Sequence, residues 1–168
     1  MTEVARYIRI REERSGLDVR AELLDDKAPR AAAALWALAG GTGRHFAQHA
    51  MWTGPEISCP VPGAKFPDAR VLEGMPLENG TSFPAAGEIA TVLAARGQWK
   101  GMPDTDVFDV GLFYGDGARL LMPMGWIMAS VAARIVPEDF AKYQAGCQAI
   151  RRGGVCELEF IREAEVTA

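Results

Sequence analysis

The stretch Leu17-Asp-Val-Arg-Ala-Glu-Leu-Leu-Asp-Asp-Lys-Ala-Pro-Arg-Ala-Ala-Ala-Ala-Leu-Trp-Ala-Leu38 carries two periodicities side by side. Leu17, Val19, Ala21 and Leu23 alternate with Asp18, Arg20 and Glu22, the period-two pattern of a strand with one buried face. Asp25 and Asp26 then stand just before Ala28-Pro29. An acidic cap followed by Pro in the first turn predicts a helix start, because Pro lacks only an amide hydrogen that has no partner there. The spacing predicts a helix from Ala28 to Ala39, with Ala31, Ala34, Leu35 and Leu38 on one face and Gly40-Gly41 as a left-handed stop.

Outward from this unit the signals continue. Val4 to Arg11 reads as a preceding strand, joined through a hairpin at Glu12 to Gly16. His45 to Trp52 and Glu56 to Val61 read as short strands around the turn Thr53-Gly54-Pro55. Pro62 to Gly80 and Arg96 to Thr105 read as loops, and Glu88 to Leu93 and Val107 to Tyr114 as strands. The run Leu120 to Ala133 reads as core, with Met122, Met124, Trp126 and Met128 on one packed strand face. Ile127 to Val136 reads as a central strand. Pro137-Glu-Asp139 opens a second helix that ends with Arg151, Arg152 and Gly153-Gly154, and Val155 to Ile161 alternates once more.

This order and its local signals resemble the cyclophilins. Leu23, Asp26, Ala28-Pro29, Ala32 and Leu38 match their second strand and first helix. Val131 to Ile135, Pro137 to Phe140 and Cys156 to Ile161 match the strand, helix and strand that end the fold. The resemblance implies a mainly β protein, a closed cyclophilin-like β-barrel capped by two α-helices, in one domain over residues 1–168. The middle of the chain resembles an uncharacterised bacterial family of cyclophilin-like proteins through His49-Ala-Met-Trp-Thr-Gly-Pro-Glu56, Glu78-Asn-Gly-Thr-Ser-Phe-Pro84, Ala86-Gly-Glu-Ile89 and Leu112-Phe-Tyr-Gly115. No reaction comes with that family. The cyclophilin isomerases use a Phe-His-Arg segment and a later Gln-Gly-Gly stretch on the prolyl amide. Here the Phe is followed by Ala47 and Gln48, and there is no Gln-Gly-Gly. A shared fold does not by itself transfer a reaction.

A small-molecule site in the cleft of the barrel is the leading expectation. His49 and Glu56 are the candidate acid–base groups, since imidazole and a perturbed carboxyl exchange protons near neutral pH. Trp52, Tyr114 and the loop pair Glu78-Asn79 are the candidate ligand contacts. Glu56, Glu78 and Glu88 are candidates for a paired carboxylate. A binding or scaffold module without catalysis is the alternative, and prolyl isomerisation a lesser one. No metal or other cofactor is expected: on a strand, His45 and His49 share a face but lie about 13 Å apart, too far for one ion with bonds of about 2 Å. Cys59, ten residues after His49, has no orienting third group.

The 168 residues suffice for one ordinary core, with 49% hydrophobic and 24% charged residues. Eighteen Lys and Arg against 22 Asp and Glu give a net charge of −4, which argues against a nucleic-acid partner. No apolar run is long enough to cross a membrane as a helix, no apolar leader opens the chain, and three cysteines in no metal-like spacing suit a reducing cytoplasm. Four tryptophans leave a homo-oligomer open. Without the arginine and the Gln-Gly-Gly elements, the protein is expected not to accelerate isomer exchange on a proline peptide. A rate like that of an active cyclophilin would refute this.

Overall fold

The computed structural model describes residues 5–163. Eleven strands and two α-helices occur in the order β1 (Tyr7–Glu12), β2 (Leu17–Leu23), α1 (Pro29–Ala39), β3 (His45–His49), β4 (Glu56–Pro62), β5 (Gly80–Thr81), β6 (Glu88–Ala94), β7 (Val107–Phe113), β8 (Leu121–Met122), β9 (Gly125–Trp126), β10 (Ala129–Ile135), α2 (Phe140–Gly153) and β11 (Cys156–Glu163). Val4, at the head of the first expected strand, lies outside the described residues. The other expected strands are present, each alternating between a core face and an outer face, but the one from His45 ends at His49, not Trp52, and the one expected over Ile127 to Val136 runs from Ala129 to Ile135.

Eight strands follow one another in antiparallel pairs, in the order β2-β1-β11-β3-β4-β7-β6-β10. The ring closes where β10 returns to β2, with Ala133 opposite Leu23 and Ile135 opposite Ala21. The mainly β barrel with two helices is therefore present as expected. Inside it Ile8, Ile10, Val19, Ile57, Val61 and Val110 are fully buried. Each such side chain contributes roughly 1.5–3 kcal/mol by leaving water. Helix α1 packs on β10 and β11, and α2 on β2, β3 and β4. Among the described residues no helix is long and apolar enough to cross a membrane.

Three local readings need correction. Helix α1 begins where expected, but neither Asp25 nor Asp26 caps it. The residue before the helix, Ala28, offers no side-chain cap, and Asp25 is paired with Arg6 instead. The cap comes from the long loop: a carboxylate oxygen of Glu78 accepts the amides of Arg30 and Ala31 at 2.9 and 3.1 Å. A negative charge there satisfies two orphan donors and faces the positive end of the helix dipole. The helix stop is not left-handed either, since Gly40 keeps φ −84°. The Arg162 guanidinium lies against Gly40 and donates to the Trp36 carbonyl at 2.8 Å. Finally, residues 120–128 are not part of a core strand. Leu121–Met122 and Gly125–Trp126 form a small hairpin whose turn needs Gly125 at φ +119°, and Met124, Trp126 and Met128 are exposed. In the absence of a partner strand on both sides, that alternation has no second layer to fill.

Replacing Glu78 with Ala is expected to lower stability by about 1 kcal/mol, the usual worth of a helix cap. Denaturant unfolding of the two proteins measures the difference. No loss would mean that the cap is dispensable.

Candidate functional site

Strands β4, β6 and β7 are covered over much of both faces, which is unusual for antiparallel strands in a small barrel. Their inner side chains, Ile57, Cys59, Ile89, Phe108, Val110 and Leu112, belong to the main core. The outer face is roofed by residues 50–53, Trp99 and Met102 of the loop before β7, and the β8–β9 hairpin. Between roof and sheet lies a cavity of about 200 Å³. A second apolar cluster, containing Ala90, Phe113, Leu120, Ala129 and Val131, supports it. The roof is tied down by backbone: the Arg119 amide donates to the Thr53 carbonyl, Leu120 to Ser82, and Ile127 to Leu120.

Two carboxyls line this cavity. Glu56, the first residue of β4, is 6% exposed. The Thr53 hydroxyl donates to its Oε2, while Oε1 accepts no hydrogen bond among the described residues. The carboxyl lies over Gly111 of β7, where a Cβ would come within 2.5 Å of Oε1, so the glycine makes its room. Asp109, on the same face of β7, has the Ser58 hydroxyl 2.9 and 3.1 Å from its two carboxylate oxygens. Among the described residues lining the cavity there is no Lys, Arg or His.

Carboxylates buried without a cation hold their protons tightly. Burial, and secondly the charge of Asp109, push Glu56 up to about 7 against the opposing Thr53 hydrogen bond. Burial also raises Asp109, against its Ser58 hydrogen bond. Glu56 therefore keeps a proton near neutral pH and can give or take one there, and the charge of Asp109 helps to hold it.

The expected site residues part company. Glu56 and Trp52 line the cavity, Trp52 on the exposed rim. His49 and Tyr114 do not. Strand alternation turns His49 away from Gln48, which lines the cavity, and its Nε2 accepts from the Tyr114 hydroxyl at 2.7 Å. Its Nδ1 lies 2.9 Å from the Ala50 carbonyl, an acceptor that requires the proton on that nitrogen. Tyr114 is 2% exposed, under α2, whose Gln144 donates to its carbonyl. Glu78 caps α1, and Asn79 takes φ +47° and donates from Nδ2 to the Val131 carbonyl, so both hold the loop on the barrel. Glu88 pairs with Arg134 and accepts the Ala85 amide. Glu56 therefore stands with Asp109, not with Glu78 or Glu88.

His45 is buried beside Phe160, its imidazole pushed down by that burial. All three cysteines are buried and unpaired, and burial raises each thiol well above its ordinary range, which leaves little thiolate for chemistry. Sequence reasoning missed Asp109, Ser58, Thr53 and Gly111. A signal for Asp109 was present: within β7 the period of two places it with Val107, Gly111 and Phe113, a lone acid on an otherwise apolar face.

Comparison with known proteins adds fold and family. The family model described as Protein of unknown function (DUF3830) matches residues 10–162. No curated protein matches the sequence. The structure is similar to that of McbB, solved in complex with tryptophan, with a TM-score of 0.61 and 18% identity over 96% of this chain and 46% of McbB, so the chain spans less than half of that protein. It is similar to the hypothetical protein AF2241 of Archaeoglobus fulgidus, with a TM-score of 0.50 and 20% identity over 97% of this chain and all of the other. A cyclophilin-type peptidyl-prolyl cis-trans isomerase of Cryptosporidium parvum gives 0.49 and 12% identity, over 96% and 99% of the two chains. At these identities the likeness to McbB and AF2241 is one of fold.

A carboxyl raised by folding binds its proton more tightly folded than unfolded. The stability contributed by the Glu56 proton is complete below the unfolded value of 4.5 and is lost as pH rises through about 7. Unfolding free energy is thus expected to fall between about pH 5 and 8, and Glu56→Gln to flatten that fall. Denaturant unfolding across that range tests it, and parallel profiles for the two proteins would refute it.

Proposed function

Since the chain belongs to the DUF3830 family, whose description carries no activity, we propose from its own geometry that it binds a small, largely apolar molecule in the cavity on the outer face of β4, β6 and β7, and exchanges a proton with it through Glu56 and Asp109. The carrying observation is that two raised carboxyls sit in a cavity with otherwise mostly apolar walls. Ligand sites are of this kind: apolar linings with a few placed polar groups and perturbed titrations. The cavity is smaller than the usual range of roughly 300–1,000 Å³, so the bound portion of the ligand is compact.

In this reading Thr53 holds Oε2 of Glu56 and leaves Oε1 free to meet the ligand. Ser58 fixes Asp109 beside it. The roof excludes water, which keeps the pair protonated and strengthens its contacts. A substrate with a basic atom at Oε1 would take the proton, and the negative charge of Asp109 disfavours the carboxylate left behind, so the proton returns readily. A binder without turnover is the second reading. The exposed rim methionines Met51, Met102 and Met124 favour it, because flexible thioethers suit adaptable recognition more than fixed reaction geometry. The tryptophan bound by McbB does not carry over at 18% identity. The unpaired buried thiols fit the reducing, cytoplasmic location that the sequence suggests.

Neutral probes test the site without presuming a charge. Indole and benzyl alcohol are expected to move backbone NMR signals of residues 51–60, 90–94 and 107–113. Val92→Phe, which puts a ring into the cavity, is expected to weaken both probes at least about tenfold while the chain stays folded, at a packing cost of about 1–3 kcal/mol. His49→Ala is expected to leave binding within about twofold and to cost about 1–3 kcal/mol of stability, since it strands the Tyr114 hydroxyl. If His49→Ala abolishes binding and Val92→Phe does not, the site lies elsewhere.

A further inference from the structure

Resting on the cavity as a binding site, we propose that its ligand is a hydrophobic organic cation, a compact amine whose ammonium group is held by Glu56 and Asp109 while its apolar body lies against Trp52, Trp99 and the methionines of the wall.

Charge carries the first part. The charged groups among the described lining residues are both carboxyls. A carboxylate or phosphate ligand would enter a water-poor space against like charge. A zwitterionic amino acid would bring its own carboxylate to the same place with no cation to receive it. A neutral molecule avoids repulsion but supplies no charge to match the pair. An ammonium group is the complement, because buried charges are tolerated when paired and hydrogen-bonded.

The unfilled valence of Glu56 carries the second part. Its side chain is more than nine-tenths buried, it lines the cavity, and Oε1 accepts no hydrogen bond among the described residues. Buried polar atoms are normally partnered, and a lone exception in a cavity marks the place of a missing donor. The walls carry the third part. Trp52 and Trp99 contribute indole rings and Met51, Met102, Met122 and Met124 polarisable thioethers. Aromatic faces attract cations most strongly when water is excluded.

The proton balance follows. The groups facing Glu56 are Thr53 from the turn, Asp109 from β7 and, through the sheet from α2, the Tyr143 hydroxyl, which is committed to the Phe113 carbonyl at 2.9 Å. An alkylammonium group titrates near 10, so it arrives charged. On binding, the Glu56 proton leaves to water, the ammonium donates to Oε1, and no covalent bond other than that O–H changes. Binding is therefore coupled to proton release and strengthens as pH rises through the titration of the pair.

Phenethylamine, phenethyl alcohol and phenylacetate have similar bodies and differ in charge. Calorimetry of the full chain at pH 8 is expected to give amine binding at least about tenfold tighter than alcohol and no phenylacetate binding, and at pH 6, in two buffers of different ionisation enthalpy, proton release with the amine only. Amine affinity is expected to fall about tenfold from pH 8 to 6, and alcohol affinity to stay level. Glu56→Gln is expected to remove that pH dependence and bring the amine to the level of the alcohol. If that variant does not fold, Asp109→Asn and the comparison on the unaltered chain decide. Alcohol or phenylacetate binding as tightly as the amine, or amine binding at pH 6 without proton release, overturns the cation and leaves the cavity standing. If none of the three binds in the cavity, the cation falls together with the binding site.

Discussion

Backbone pairing of β10 with β2 is the contact on which the rest depends. Without it the eight strands form an open sheet with two long unpaired edges, each a template for aggregation. With it, inner faces converge on one core that the helices can cover. Closure also fixes every outward-facing side chain to one place on the circumference. Because side chains alternate with a period of two, the register that buries Val110 must turn Asp109 and Gly111 outward.

That outward turn creates the second constraint. An acid on an open barrel wall would be hydrated and ordinary. Here the β8–β9 hairpin, residues 50–53 and the loop carrying Trp99 cover the wall, so Glu56 and Asp109 lose water without gaining a cation. Elsewhere the chain pairs its charges: Arg6 with Asp25, Arg9 with Asp18 and Glu163, Arg44 with Glu159. The contrast is informative. Glu12, buried as deeply, is held by the backbone amides of Arg14 and Ser15, whereas Glu56 faces a cavity with one oxygen unpartnered among the described residues at a cost to folding, and such local costs gather where a protein meets its ligand.

The residues that resemble an uncharacterised family in the middle of the chain divide between these two tasks. Glu78 and Asn79 attach the long loop to α1 and β10, and His49 with Tyr114 joins β3 to the chain beneath α2. These are supports of the barrel. Trp52, Thr53 and Glu56 belong to the cavity. Neighbours in one motif thus fall on β3, on the connecting turn and on β4, with His49 turned from the cavity and Glu56 lining it, which is why a motif read as a single site separates in space.

Sequence alone determined the barrel. The alternation of Leu17 to Leu23, the Pro-led helix after it and the cationic, glycine-ended second helix are local signals, written in propensity and periodicity that survive without the rest of the chain. It also put Glu56 and Trp52 among the candidates. Tertiary structure decided what local signals cannot hold. Glu78 reaches the amides of Arg30 and Ala31 across 48 and 47 positions, and no periodicity records that distance. Met122 and Met124 read as core by their alternation, but become a cavity wall because a turn at Gly125 gives the hairpin no second layer. Asp109 becomes the partner of Glu56 because β7 lies beside β4 and a roof from three separate segments removes water from both. Burial is a property of the closed barrel, and the titration of a carboxyl follows its burial, not its neighbours in sequence.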